Sequence, residues 1–133
     1  NTFEHFVNDP NNLHSISDNR FWDIIENSNH KLLVGTSNGL NLFYPETGKF
    51  VQFSSDKNRE NKLSHSEVRV LFIDNKENLW VGTSWGLNKF NQETNDFEHY
   101  LPYPKDPPKL YTNEINCIFE FNPDELWLGT HNG

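Results

Sequence analysis

The sequence predicts an all-β fold built from repeated four-stranded antiparallel units, and two observations carry that expectation. The first is a repeat. "KLLVGTSNGLNLF" at Lys31 to Phe43, "NLWVGTSWGLNKF" at Asn78 to Phe90 and "ELWLGTHNG" from Glu125 to Gly133 align, with Gly35, Gly82 and Gly129 spaced by 47 residues each time. The same offset aligns Phe3 to Phe6 with Phe50 to Phe53 and Phe97 to Tyr100, and Ile16 with Leu63 and Leu110, without insertion or deletion. Self-similarity at a fixed period of this length marks a repeat architecture. The second observation is that apolar residues within a repeat come in four short bursts rich in Val, Ile, Phe, Trp and Thr. Turn residues bound each burst, which is the pattern of strands rather than helices.

In the central repeat the bursts are Val68 to Ile73, Leu79 to Thr83, Leu87 to Phe90 and Phe97 to Tyr100, here termed positions A, B, C and D. The links Asp74 to Asn78, Ser84 to Gly86 and Asn91 to Asp96 are short enough to make each neighbouring pair an antiparallel hairpin. Strand A is apolar on both alternating faces, so it should be covered on both sides. Strand D, "FEHY", alternates apolar with polar, as a more exposed strand does. A four-stranded antiparallel unit stacked in copies is a β-propeller blade; a solenoid is the main rival, but its strand repeats are usually shorter.

The expected organisation of residues 1–133 is therefore a partial β-propeller of about 2.8 blades. Residues 1–6 form the outer strand of a preceding blade, 21–53 and 68–100 form blades, and 115–133 form an incomplete one. Propellers close with about 4 to 8 blades. Closure would need further residues or chains, and open strand edges at the two ends would favour self-association.

Composition excludes several functions. With 11 basic residues against 19 acidic ones and a net charge of -8, the chain has no electrostatic footprint for nucleic acid or an anionic membrane surface. No apolar run approaches the roughly 20 residues that span a bilayer. The single cysteine, Cys117, has no internal partner, and its apolar neighbours Ile115, Ile118 and Phe119 suggest a buried, inert thiol. His14, His30, His65 and His131 lack the spacing and cysteine partners of a zinc site, and His5 and His99 repeat at one strand position. Asp74, Glu77, Asp124 and Glu125 sit in A to B turns, where acidic residues are ordinary turn formers. No nucleophile elbow or phosphate loop is present. No catalytic residue, metal or cofactor is expected.

The stretch "SHSEVRVLFIDNKENLWVGTSWGLNKFNQETNDFEHY" resembles the two-component regulator propeller repeat, with L-W-x-G-T followed by G-L, and the resemblance extends over the whole chain in three registers. Leu33 replaces the tryptophan in the first copy, Asn95 and Asp96 replace the Gly48-Lys49 pair, and Ser66 stands where Asn19 and Asn113 occur. The resemblance implies the extracytoplasmic, periplasmic sensor region of a membrane-anchored hybrid two-component histidine kinase, which detects a ligand such as an oligosaccharide released from a complex glycan. The alternative function is a non-catalytic propeller scaffold that holds other blades, domains or subunits.

Comparison of the copies separates scaffold from variable positions. Gly35, Gly82 and Gly129, with Thr36, Thr83 and Thr130, end strand B in every copy, and Gly39, Gly86 and Gly133 should supply a positive φ to the B to C turn. Trp80 and Trp127 share one position, which core packing explains. Strands alternate in direction, so the D to A connections and the B to C turns share one face. That face carries Val7 to Arg20, Ser54 to Glu67 and Leu101 to Glu114, each of 14 residues. The second residue of strand A varies as Trp22, Arg69 and Asn116, and Trp85 replaces the amides Asn38 and Asn132 in the B to C turn. An aromatic plane, a guanidinium fork and an amide suit a polyhydroxylated or acidic sugar. Trp22, Arg69, Trp85 and Asn116 are thus the candidate ligand-binding residues, with packing against neighbouring blades or solvent as the other reading.

Overall fold

The computed structural model describes residues 2–57, 62–101 and 114–131. Its strands are β1 (Phe21–Glu26), β2 (Leu32–Thr36), β3 (Gly39–Tyr44), β4 (Lys49–Phe53), β5 (Val68–Ile73), β6 (Leu79–Thr83), β7 (Gly86–Asn91), β8 (Asp96–Tyr100), β9 (Ile115–Asn122) and β10 (Glu125–Thr130). Two antiparallel sheets, β1-β2-β3-β4 and β5-β6-β7-β8, follow chain order, and β9 pairs with β10. These are two propeller blades and the inner hairpin of a third unit, with β1, β5 and β9 as successive inner strands in contact. Leu110, Asn113, Asn132 and Gly133 lie outside the described residues, as do parts of the second and third D to A connections.

Blades are held mainly by what packs between them. Leu33 and Leu40 of the first blade meet Val68, Leu71, Leu79, Val81 and Phe97 of the second in one buried cluster with Leu63. Across the next seam Leu87 joins Ile115 and Ile118, with Val70 and Trp80 alongside. Gly82 explains how the sheets approach so closely. A Cβ there would lie 2.5 Å from Val70 Cγ1 and 2.8 Å from Ile115 Cγ2, so only hydrogen fits.

A buried polar knot fastens the connection entering each of the two four-stranded blades. Asn88 Oδ1 accepts from the Ser64 backbone N–H at 2.8 Å, while its amide group donates to Ser64 Oγ and to the Val81 carbonyl. Ser64 Oγ and Thr83 Oγ1 share a hydrogen bond, and Thr83 Oγ1 donates to the Gly86 carbonyl. Asn41, Ser17, Thr36 and Gly39 repeat this arrangement in the first blade. Polar groups this deep persist only because each is paired. The repeated threonine is therefore a hub joining the D to A connection to the B to C turn.

Turn chemistry departs from the sequence in an instructive way. Gly39 and Gly86 have φ of 120° and 96°, as the B to C turn requires. The A to B turns also use positive φ, at His30, Glu77 and Asp124, where no copy has glycine. In the C to D turn Asn95 adopts φ 53° where Gly48 has 67°, so the substitution keeps the geometry. Asparagine tolerates this region better than most side chains do.

Four expectations need correction. Residues 3–6 form no β pairing, because no described strand lies beside them to act as a partner. Phe6 nevertheless packs against Phe43 and Phe50, with centroids at 5.0 and 5.5 Å, as its repeat equivalent Phe53 packs against Phe90 and Phe97. Cys117 is exposed rather than buried, since β9 turns Ile115 and Ile118 to the seam and leaves the thiol on the other side. Trp127 is 62% exposed although it shares its position with Trp80. The half-buried Trp80 ring is covered by Tyr100 and Lys89 from β8 and β7, and no such strands stand beside Trp127 among the described residues. Finally, among the described residues β1 and β9 are covered on one side only, whereas β5 is enclosed between its neighbours.

Candidate functional site

Every inner strand carries an irregularity at the same place. In β1, Phe21 pairs with Thr36 and Asp23 with Gly35, leaving Trp22 as an extra residue. In β5, Val68 pairs with Thr83 and Val70 with Gly82, leaving Arg69. In β9, Ile115 pairs with Thr130 and Cys117 with Gly129, leaving Asn116. Such a β-bulge re-aims its side chain away from the strict alternation of the strand. The glycine opposite makes room for the side chain that follows the bulge, since a Cβ on Gly129 would sit 2.2 Å from Cys117 Sγ. Local sequence thus lifts one variable side chain per repeat out of the sheet, at the end where the D to A connections and B to C turns meet.

These three side chains converge. The Arg69 guanidinium stacks over the Trp22 ring at 5.1 Å from its centroid, within cation–π range. On its other side Nη1 donates to Asn116 Oδ1 at 3.4 Å. Each bulge residue is also tied to its own B to C turn where that turn holds serine. Trp22 Nε1 donates to Ser37 Oγ at 3.1 Å, and Arg69 Nε donates to Ser84 Oγ at 3.0 Å.

Two carboxylates complete the cluster. Arg69 Nη2 lies 3.0 Å from Glu67 Oε1 and 2.8 Å from Glu114 Oε1, with all three side chains about three-quarters shielded from solvent. Glu114 Oε2 is 3.6 Å from His131 Nδ1. Partial burial strengthens these pairs relative to fully exposed ones. Arg69 therefore bridges three consecutive repeats: Trp22 before it, its own Glu67 and Ser84, and Glu114 with Asn116 after it.

Of the four candidate residues, Trp22, Arg69 and Asn116 are brought together. Trp85 sits at the tip of its turn, 36% exposed, with its backbone N–H on Thr83 Oγ1. It lies on the rim next to Ser84, the residue that accepts from Arg69 Nε. Glu67 and Glu114 were missed from sequence although they occupy equivalent positions one repeat apart. Their signal was a change of charge between copies, since the first repeat has Arg20 at this position. Among the described residues no group of three or more His, Cys, Asp or Glu side chains could hold a metal ion.

Comparison with known proteins places the chain. Residues 62–85 match the family model for the two component regulator propeller. No curated protein matches. A crystal structure of the extracellular domain assigned to the hybrid two component system BT4673 from B. thetaiotaomicron is similar, with a TM-score of 0.66 and 20% identity. A second crystal structure, in which the BT4673 extracellular domain is assigned to a one component system, matches with a TM-score of 0.66 and 19% identity. In both, the match covers 96% of this chain and 23% of the other, so the chain spans about a quarter of those domains. At that identity the likeness is one of fold.

Proposed function

We propose that this chain is part of the extracytoplasmic sensing propeller of a hybrid two-component signalling receptor, and that it detects a glycan-derived oligosaccharide at the rim formed by the bulge residues. The parent protein is then a histidine kinase anchored in the cytoplasmic membrane, and this segment lies in the periplasm with a binding role rather than a catalytic one. The observation that carries the reading is the contrast at the rim. A repeated scaffold sets Trp22, Arg69 and Asn116 side by side, and these lifted positions differ in chemistry from copy to copy. The matched propeller family and the fold of the BT4673 domains support the receptor context. Trp85, on the same rim, is included as a contact residue.

Titration calorimetry on the intact protein with oligosaccharides from complex glycans tests this. Arg69→Ala or Trp85→Ala should weaken binding; unchanged affinity in both variants would remove these residues from the site. A second reading is favoured by the apolar surfaces at the two ends of the array, where Phe21, Ile24, Phe121 and Trp127 are exposed. In it the propeller is a scaffold for other blades, domains or subunits. Light scattering separates the two: concentration-dependent association without glycan binding is the scaffold outcome, and a monodisperse monomer counts against self-association.

A further inference from the structure

We infer that the rim around Arg69 selects an uncharged, polyhydroxylated ligand and rejects carboxylate- or sulfate-bearing ones, an inference that rests on the ligand-sensing reading above. An arginine at a ligand rim ordinarily points to an anion, because two parallel N–H groups on one edge of the guanidinium match a carboxylate. Here both edges are taken. Nε donates to Ser84, and Nη2 holds Glu67 Oε1 at 3.0 Å and Glu114 Oε1 at 2.8 Å. Nη1 reaches Asn116 Oδ1. A guanidinium has about five N–H donors, so among the described residues one remains without a partner, and neither edge can offer a parallel pair.

Charge points the same way as geometry. Two carboxylates face one guanidinium, and His131 beside Glu114 adds positive charge only when protonated. An incoming carboxylate would meet Glu67 and Glu114 at short range in a partly shielded place, where like charges repel more than in bulk water. What the rim still offers suits hydroxyl groups. The Asn116 oxygen accepts from Arg69, which leaves the Asn116 amide N–H groups to donate, and the Glu67 and Glu114 oxygens can accept. One face of the Trp22 ring lies under the Arg69 guanidinium and its indole N–H is engaged, while the residue is 48% exposed and leaves apolar ring surface open. A neutral sugar places hydroxyls on the first groups and C–H edges on the second.

The test uses the intact protein and a glycan digest split by anion exchange into neutral and uronate- or sulfate-containing fractions. Wild type should bind the neutral fraction at least tenfold more tightly than the charged one, with affinity little changed by added salt. Glu67→Gln/Glu114→Gln should narrow that preference severalfold, and the single Glu67→Gln variant provides a milder version should the double variant not fold. Preferential binding of the charged fraction by wild type, weakened by salt, would overturn the selectivity and leave the sensing reading standing. Binding of neither fraction would overturn the sensing reading, and the selectivity with it.

Discussion

Strands β1 and β5 occupy the same place in successive blades and share the same pairing, yet their surroundings differ completely. Val68 and Leu71 of β5 are 0% and 4% exposed, whereas their repeat equivalents Phe21 and Ile24 of β1 are 48% and 54% exposed. Hydrogen bonding within the sheet is alike in both, so the difference is the neighbouring blade. The first blade covers one side of β5 with Leu33 and Leu40, while the corresponding side of β1 borders an open apolar cavity of about 530 Å³ that Phe6 partly lines. A blade supplies its own backbone partners but relies on its neighbour to remove apolar surface from water. That removal is the larger favourable term in folding.

The widest gap should appear on truncating the paired positions. Leu71→Ala should cost about 2–4 kcal/mol through lost transfer energy and a residual cavity, whereas Ile24→Ala should cost less than about 1 kcal/mol. Chemical denaturation of both variants measures this. In a longer protein where another blade covers β1, the two costs should converge, which makes Ile24 a reporter of that contact.

A smaller effect separates the seam glycines. Gly82→Ala pushes a methyl group into Val70 and Ile115 and should destabilise by about 1–3 kcal/mol. Gly129→Ala meets the side chain of exposed Cys117, which can rotate, and should cost less. Thermal unfolding midpoints for the two variants should fall in that order. Equal midpoints would mean that the seam does not depend on close approach at Gly82.

The A to B turns invite substitutions in the stabilising direction. Glu77 holds φ 63°, a conformation that glycine adopts without the steric cost borne by other residues. Glu77→Gly should therefore gain about 0.5–1 kcal/mol. His30→Gly should gain less, because the His30 ring contacts Glu26 Oε1 at 2.6 Å and that contact would be lost. Denaturant midpoints of the two single variants distinguish them.

The smallest expected difference is pH-dependent. Asp74 in the second blade and Asn27 in the first close equivalent turns. The Asn27 oxygen accepts from the Asn29 and Lys31 N–H groups. The Asp74 carboxylate accepts from Trp80, Asn78 and Lys76. Burial pushes the Asp74 carboxyl up, but the hydrogen bonds from Trp80 and Asn78 outweigh it and hold the pKa below the usual 3.8. A carboxylate with a lowered folded pKa stabilises the fold above its unfolded value and loses that contribution as pH falls through the folded one. Asp74→Asn should remove this acid sensitivity below about pH 4, an effect of about half a kcal/mol or less at a site partly open to solvent. Acid titration of unfolding, wild type against variant, is the measurement.

The 47-residue period and the four bursts within it were enough to predict strand order, pairing direction and the end of the blade that carries variable residues. Those features are local: hairpin links force antiparallel neighbours, and matched copies must share one backbone. The candidate positions at Trp22, Arg69 and Asn116 were legible for the same reason, as differences against a constant background. The bulge that lifts them, the filling of the Arg69 fork by Glu67 and Glu114, and the exposure of Cys117 and Trp127 were decided only in the tertiary structure. Each depends on a neighbour one repeat away or on the lack of a described one, and a repeat compared with itself cannot say what stands beside it.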